Sequence, residues 1–480
     1  MNNLWIARSA AWILGAFLLA GCLEKDGTIG EGGVDSTSRV GLNFISLARV
    51  ATAGLGGQGV GGMLDDFEAL DAGWMRQMTA HDIGWSSIYQ GGDYGDPDSY
   101  DFSKADLLFL SSSSRGIEVV PTLFQIGGDA AVVQGAPDKK MLYDPKGVPL
   151  ILTEGAAFDF FNSASKITDY VKVVATRYQG FVDYYECANE ARAYEWFADH
   201  PCQYALLLIC VKKALQEVDP ELKLVLGGLG GTVDLTFRRS LDWFSKVLHH
   251  LDRLGELDAI DVVNFHYYDS WDLLAPAVDD LMAILKEYGL EDRPIWATEI
   301  GSSYVPSQDA AHTEDASETE QARDVVRKIV TCFAHGADAV GWHTHISPTD
   351  VNAGNIWYGF GLRHPDGEPA LSYHTFGLFN EKLGRFNHVK VLSEGTDHVW
   401  AYRFRVPQGG NLPVRNLWVL WSDGEAGRVD YPLDAGAATK VRVTRLVSDA
   451  EGNFETQVLE PSEVKVLPRS PILVETVSND

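Results

Sequence analysis

Between residues 40 and 383 the chain repeats one theme, a short apolar or β-branched run followed by a stretch with apolar residues at helical spacing. The runs fall at 40–44, 83–89, 117–123, 182–188, 222–227, 260–266, 294–299 and 339–343. They are nearly continuous in apolar character, as strands covered on both faces must be, because such strands have no solvent side to alternate with. Phe67, Leu70, Trp74 and Met78 form one intervening stripe, and Phe237, Leu241, Phe244, Leu248 and Leu251 another. Val325, Ile329 and Phe333 mark the helix before the last run, and residues 373–383 supply an eighth helix. Eight strand–helix units in succession predict an α/β fold, a (β/α)8 TIM barrel with loop insertions. A doubly wound open sheet is the competing architecture. No GxGxxG or GxxxxGK[ST] follows any of the runs, so its usual nucleotide argument is missing.

At about residue 387 the helical periodicity stops. Short β-like runs take over at 389–392, 399–406, 417–421, 440–446, 457–459, 464–467 and 472–477. Gly409-Gly410, Asp423-Gly424 and Glu451-Gly452-Asn453 separate them as turns. The expected organisation is therefore a barrel over residues 39–386 and a small β-sandwich over 387–480. A chain of 480 residues is long enough for two such cores. Whether the sandwich braces the barrel or binds glycan stays open. Long loops are expected at 124–162 and 306–317, on the carboxyl side of the third and seventh strands, where a barrel shapes its cleft.

The amino terminus carries its own signal. Arg8 is the only charge before an apolar run at 12–20, which is too short to span a bilayer and reads as a signal segment. The Leu19-Ala20-Gly21-Cys22 sequence resembles the bacterial lipoprotein box, which implies lipidation of Cys22 and removal of the preceding residues. Residues 1–22 would be the signal peptide and 23–38 a polar, Gly-rich tether. Leu23-Glu24 lacks the Asp of an inner-membrane retention signal, so a lipid anchor in the outer membrane is expected, facing periplasm or cell surface. A net charge of −28 spread along the chain excludes nucleic acid as a partner, since that requires a basic footprint. Cys187, Cys202, Cys210 and Cys332 have no metal-ligand spacing and read as thiols within apolar elements.

The chemistry concentrates at residues 181–192, FVDYYECANEAR, where an apolar strand stops on Asn189-Glu190. A second strand, 294–299, likewise ends on a carboxylate, Glu299. In a barrel, side chains at the carboxyl ends of strands face the active site and deeper ones are core. Glu186 shares the parity of Glu190 but lies ~13 Å deeper at ~3.3 Å per residue, so it reads as a buried, paired structural carboxylate. Two strand-end glutamates suggest an acid and a nucleophile facing one sugar.

The stretch DYYECANEA resembles the WExWNEP signature of clan A glycoside hydrolases, and TEIGSS around Glu299 resembles the nucleophile strand of that clan. Ala191 stands where the clan usually has Pro, and Tyr185 where Trp is usual. Tyr100-Asp101-Phe102, Asp219-Pro220, Asn264 through Tyr268 and Gln321-Ala322-Arg323 extend the likeness over the whole barrel, and the sandwich behind it suits families 39 and 5. The resemblance implies retaining hydrolysis of β-glycosides. Glu190 would be the acid/base, Glu299 the nucleophile that forms a glycosyl-enzyme, and no cofactor is expected. A related outcome is transglycosylation. A non-catalytic glycan-binding lipoprotein on the same barrel is the alternative from another class.

Asn189 adjoins the acid and is expected to hydrogen-bond a substrate hydroxyl. His266 and Tyr268 share strand parity and read as subsite residues; in the clan, a tyrosine there often steadies the nucleophile. Trp342 offers a stacking face or is core. Asn43, Tyr89 and Gln90, read as ends of the first two strands, are candidates for binding hydroxyls, and Trp357 is a further sugar platform. His343-Thr344-His345 has the spacing of a metal pair, but only His266 and Asp269 are at hand to complete a site. No metal is expected there.

Overall fold

The computed structural model describes residues 26–27, 38–44, 59–77, 83–124, 142–143, 146, 149–150, 157–192, 197, 199–230, 234–306, 316–347, 359–408, 414–423 and 428–477. Eight parallel strands follow one another: β1 Val40–Phe44, β2 Trp74–Gln77, β3 Glu118–Pro121, β4 Tyr184–Cys187, β5 Lys223–Leu226, β6 Val263–Tyr267, β7 Ile295–Ile300 and β8 Ala339–Trp342. Hydrogen bonding joins β3-β2-β1-β8-β7-β6 into one sheet and β4-β5 into another. Single-residue parallel bridges, Thr122 to Glu186 and Val225 to Val262, connect the two sheets on both sides. The strands thus run round a ring in chain order.

The helices α1 Gly59–Ala69, α2 Ser103–Ser113, α3 Ala157–Arg177, α4 Pro201–Val218, α5 Asp234–Leu254, α6 Leu274–Glu287, α7 Glu318–Ala334 and α8 Leu371–Leu383 alternate with the strands. Phe244, Leu248 and Leu251 of α5 are fully buried, as their spacing predicts. This is a TIM-barrel-like α/β fold. Among the described residues, no helix is long and apolar enough to cross a membrane.

One strand was misplaced by the apolar pattern. Residues 83–89, expected as the second strand, contain a short helical turn, Trp85–Ile88, instead. The second strand is Trp74–Gln77, and all four of its residues are buried. Its sequence, WMRQ, places an Arg and a Gln in the wall, so it lacks the apolar signature. The stripe from Phe67 to Met78 therefore crosses an element boundary. Helix α1 ends, Asp71 takes a left-handed φ of 51°, and the chain turns into β2. Tyr89 and Gln90 do not end a strand; the Tyr89 hydroxyl donates to the carbonyl of Gly92 in the connection beyond it. Most of the two expected long loops, with Trp357 and the amino-terminal signal including Cys22, lies outside the described residues.

The carboxyl-terminal part is all-β. Its strands are β9 His388–Thr396, β10 Val399–Val406, β11 Arg415–Ser422, β12 Val429–Asp430, β13 Val441–Arg445, β14 Thr456–Leu459, β15 Lys465–Val466 and β16 Ile472–Thr476. Six of these form one antiparallel sheet in the order β9-β10-β11-β16-β13-β14, and Asp26–Gly27 adds a two-residue pairing to the β9 edge. Alternation along β10 and β11 sends Tyr402, Phe404, Leu417, Val419 and Trp421 into the barrel's own core cluster. Ala401, Trp418, Leu420, Val443 and Val474 face the other way and pack with Val464 and Val466 beside the short β12-β15 pair.

Candidate active site

Arg76, on the strand the pattern missed, is the hub of the site. It is fully buried, and its guanidinium meets two carboxylates, Glu186 and Glu299. Nη2 donates to Glu186 Oε1 at 2.8 Å and to Asn189 Oδ1 at 2.8 Å, and Nη1 donates to Asn43 Oδ1 at 3.1 Å. Burial works against that positive charge, but Glu186 and Glu299 outweigh it and hold the guanidinium protonated.

Glu186 fills the role expected of it. Its carboxylate also accepts from Thr122 Oγ1 at 2.8 Å, Asn264 Nδ2 at 3.0 Å and the Gly228 N–H at 3.2 Å. Every acceptor site is thus directed inward.

Strand β4 then ends. Ala188 and Glu190 take left-handed φ values of 65° and 42°, which are uncommon for residues with a Cβ and turn Glu190 onto the rim. Its side chain is 15% exposed, whereas that of Glu299 is 4% exposed. His266 stands between them. Nδ1 lies 2.9 Å from Glu190 Oε1 and 3.6 Å from Glu299 Oε2, and Nε2 lies 3.1 Å from Thr298 Oγ1. Ligand atoms of Glu190, His266 and Glu299 all lie within 4.8 Å of one another.

Glu299 is the most strongly held group. Arg76 pairs with one carboxylate oxygen and the Tyr268 hydroxyl donates to the other. His343 Nδ1 is 3.9 Å away. Burial alone would raise its pKa, but His266, Arg76, His343 and the Tyr268 hydrogen bond pull it down to about 2. Glu299 is thereby an anion across the neutral and mildly acidic range. The Tyr268 phenol is pushed well above its usual value by burial and by the charges of Glu299 and Glu190, so it stays a donor.

The structure brings Glu190, Glu299, Asn189, His266 and Tyr268 together. Asn43 adjoins them from below. It is fully buried, accepting from Arg76 and donating to the Thr298 carbonyl, so its polar atoms serve the hub. Trp342 is fully buried in the barrel core, without the open face that stacking on a sugar requires. The HxH pair diverges: His343 faces Glu299, while His345 Nε2 lies 2.9 Å from Asp66 Oδ2 in a cluster with Arg363 and Tyr373. Arg76 and Thr298 are site residues that pattern reading gave no role, while Asn264 and His343 had been met only within the stretch 264–268 and the HxH pair. The one available signal for Arg76 was a cation enclosed by Trp74, Met75 and Gln77 after a Gly.

Gly228 and Gly230 follow β5 closely. A Cβ on Gly228 would strike the His266 ring, and one on Gly230 the Glu190 carboxylate. The backbone after β5 therefore forms part of the wall that fixes both side chains.

Two carboxylates converge on a barrel rim, one a held anion and the other partly exposed, a pairing chemically able to support acid-assisted displacement at an electrophilic carbon. Solved structures of similar fold include clan A glycoside hydrolases of families 39 and 51. A family 39 glycoside hydrolase from the gut symbiont Bacteroides cellulosilyticus WH2 matches 92% of this chain and 81% of its own, with a TM-score of 0.64 and 18% identity. A family 39 beta-xylosidase from Caulobacter crescentus matches 93% of this chain and 97% of its own, with a TM-score of 0.59 and 18% identity. A family 51 alpha-L-arabinofuranosidase from Thermotoga petrophila RKU-1 matches 92% and 98%, with a TM-score of 0.59 and 11% identity. The shared feature at these identities is the fold. No family model and no curated protein matches the sequence.

Proposed function

We propose that the chain is a retaining glycoside hydrolase that cleaves β-glycosidic bonds of a poly- or oligosaccharide. The observation that carries this reading is the convergence of Glu190 and Glu299, from different strands, within 4.8 Å. Retaining enzymes hold their two carboxyls ~5–5.5 Å apart, whereas inverting enzymes need ~6.5–9.5 Å for an intervening water. In the first step Glu299 attacks the anomeric carbon, the glycosidic C–O bond breaks, and Glu190 gives its proton to the departing oxygen. In the second, Glu190 takes a proton from water, the water oxygen attacks the same carbon, and the Glu299 ester bond breaks. Arg76 and Tyr268 keep the nucleophile ionised and oriented. His266 fixes the spacing between the two carboxylates.

A panel of aryl β-glycosides, extended with an α-L-arabinofuranoside because of the names of the structural neighbours, should reveal a turned-over substrate. Glu299→Ala should abolish turnover, and azide should restore it with product of inverted configuration. Glu190→Ala should still release activated phenols and fail on poor leaving groups. Azide product of retained configuration in Glu299→Ala would assign the roles the other way round.

The Leu19-Ala20-Gly21-Cys22 box supports a second part of the reading, an anchor at Cys22 that places the barrel at the cell envelope, with the outer membrane favoured. Expressed in a bacterium, the full chain should partition into a detergent phase and Cys22→Ser into the aqueous phase. Equal partitioning of the two would rule out the anchor.

A further inference from the structure

The His266 imidazole sits between Glu190 and Thr298, and the contacts around it settle which of its nitrogens carries hydrogen. Asn264, on the same strand, sets the direction of the network. Its side chain is fully buried and meets two groups of opposite kind: the Thr298 N–H lies 3.1 Å from Oδ1, and a Glu186 carboxylate oxygen lies 3.0 Å from Nδ2. A backbone N–H only donates, and a carboxylate paired with Arg76 accepts. The reverse orientation of the amide would set donor on donor and acceptor on acceptor, so Oδ1 is the atom that faces Thr298.

Thr298 has one hydroxyl hydrogen for two neighbours. Oγ1 lies 2.9 Å from Asn264 Oδ1 and 3.1 Å from His266 Nε2. Oδ1 brings no hydrogen, so the hydroxyl must donate to it; otherwise two acceptors would face each other in a fully buried place. Oγ1 then has only a lone pair left for Nε2, which must supply the hydrogen itself. His266 is thus held with hydrogen on Nε2. The ring cannot turn away, because the Gly228 backbone lies so close that a Cβ there would fall 2.0 Å from Nε2.

The other nitrogen, Nδ1, faces Glu190 Oε1 at 2.9 Å. A bare Nδ1 accepts from a Glu190 carboxylic acid, and an anionic Glu190 requires the hydrogen to be on Nδ1. Either way the contact holds one proton. Without it, lone pair would face lone pair, with anionic Glu299 3.6 Å from the same nitrogen. The other charged or titratable groups nearby are turned elsewhere. Arg76 from β2, Tyr268 from β6 and His343 from β8 are directed at Glu299, and Glu186 from β4 at Arg76.

We propose that Thr298 is a positioning residue for the acid: its hydroxyl, oriented by Asn264, holds His266 in the Nε2–H form, so that His266 and Glu190 keep one proton between them for the leaving group. When that proton passes to the departing oxygen, which takes the electrons of the broken C–O bond, Glu190 is left anionic beside the Nδ1 lone pair. The repulsion makes it a better base, and the proton it takes from the attacking water restores the pair. His266 keeps its Nε2 hydrogen throughout. The hydrogen positions rest on the network alone, while their catalytic consequence rests on the glycosidase reading.

The test is 15N NMR of the full chain labelled at histidine, with the His266 signals assigned by their loss in His266→Gln. At neutral pH Nε2 should carry a directly bonded hydrogen in the unaltered protein and in Thr298→Ser. In Thr298→Val the hydrogen should move to Nδ1. On aryl glycosides, the basic limb of the kcat/KM profile should move down by roughly one pH unit in Thr298→Val, the scale set by one hydrogen bond in a buried network. Poor leaving groups should lose at least about tenfold more rate than activated ones, since only they depend on the acid, and Thr298→Ser should restore both. An Nε2 without hydrogen in the unaltered protein, or an Nε2 hydrogen that survives Thr298→Val, overturns the proposal and leaves the catalytic reading intact. So does an unmoved basic limb with equal losses on all leaving groups, which would mean a purely structural threonine. The expected hydrogens in a protein that turns over no glycoside would uphold the network and defeat the catalytic reading instead.

Discussion

Glu299 shows how a buried carboxylate is kept charged. Its ionised form is favoured by Arg76, by nearby His266 and His343 and by the Tyr268 hydroxyl, against the opposing effect of burial. With its folded pKa depressed to about 2 from the ordinary 4.5, the group adds stability that is fully present above pH ~4.5 and is lost as the pH falls through about 2. The same shift means that Glu299 needs no deprotonation step across the working range. Tyr268→Phe removes a hydrogen bond to a charged acceptor, worth ~1.5–3 kcal/mol. It is expected to lower kcat/KM by roughly 10- to 150-fold. It also removes one of the lowering influences, so the acid limb of the pH profile should move to higher pH. A pH–rate series on both proteins checks this, and an unshifted acid limb would refute the role given to the phenol. Cys187, Cys210 and Cys332 illustrate the opposite outcome of burial. They are free thiols, their pKa raised by the apolar surroundings, and they behave as small hydrophobes.

At the scale of elements, the barrel interior is tied by polar contacts as well as by apolar layers. Arg76 on β2 touches groups from β1, β4 and β7, and Glu186 on β4 reaches Asn264 on β6 and the backbone after β5. Truncating one partner of such a buried set leaves the others uncompensated and typically costs ~3–5 kcal/mol. Arg76→Met keeps much of the side-chain length but leaves Glu186 and Glu299 buried without a counter-charge. Urea unfolding at neutral pH should report a loss of about that size. Adding Glu186→Gln in the same protein should recover part of it, because one stranded charge is removed. A loss below about 1 kcal/mol would show that the hub contributes little to stability, contrary to the expectation for buried ion pairs. A second cluster, Asp66 with His345, Arg363 and Tyr373, ties α1 to the chain after β8 and to α8. It absorbs one of the two histidines whose spacing had resembled a metal pair.

At the scale of the whole molecule, the all-β part is continuous with the barrel core. Phe386 packs on Phe333 of α7 and Phe404 of β10, with centroids 4.7 and 5.0 Å apart, and His335 Nε2 lies 2.9 Å from Glu394 Oε1. A chain ending at residue 386 would uncover Trp271, Phe333 and Phe386 together, and exposed apolar patches of that kind drive aggregation. Such a truncation should yield mostly aggregated protein on size exclusion with light scattering. A monodisperse barrel with an unchanged melting temperature would contradict that dependence.

The chain's periodicity determined the class of fold, the positions of seven of the eight barrel strands, three of the helices (α5, α7 and α8) and the all-β end. The abrupt polar endings of two apolar strands were enough to single out Glu190 and Glu299, and depth along the strand set Glu186 apart from Glu190, whose parity it shares. These features are local, set by whether a segment is buried on both faces and where that burial stops. The second strand escaped because its polar residues, Arg76 and Gln77, are buried, and pattern reading equates polarity with exposure. Only the tertiary structure decided that Arg76 would be enclosed, since the carboxylates that compensate its charge come from positions 186 and 299. It likewise decided that Trp342 is core and that His343 and His345 part company. Each outcome depends on which distant side chains share a few ångströms of space, a relation that no single stretch of sequence contains.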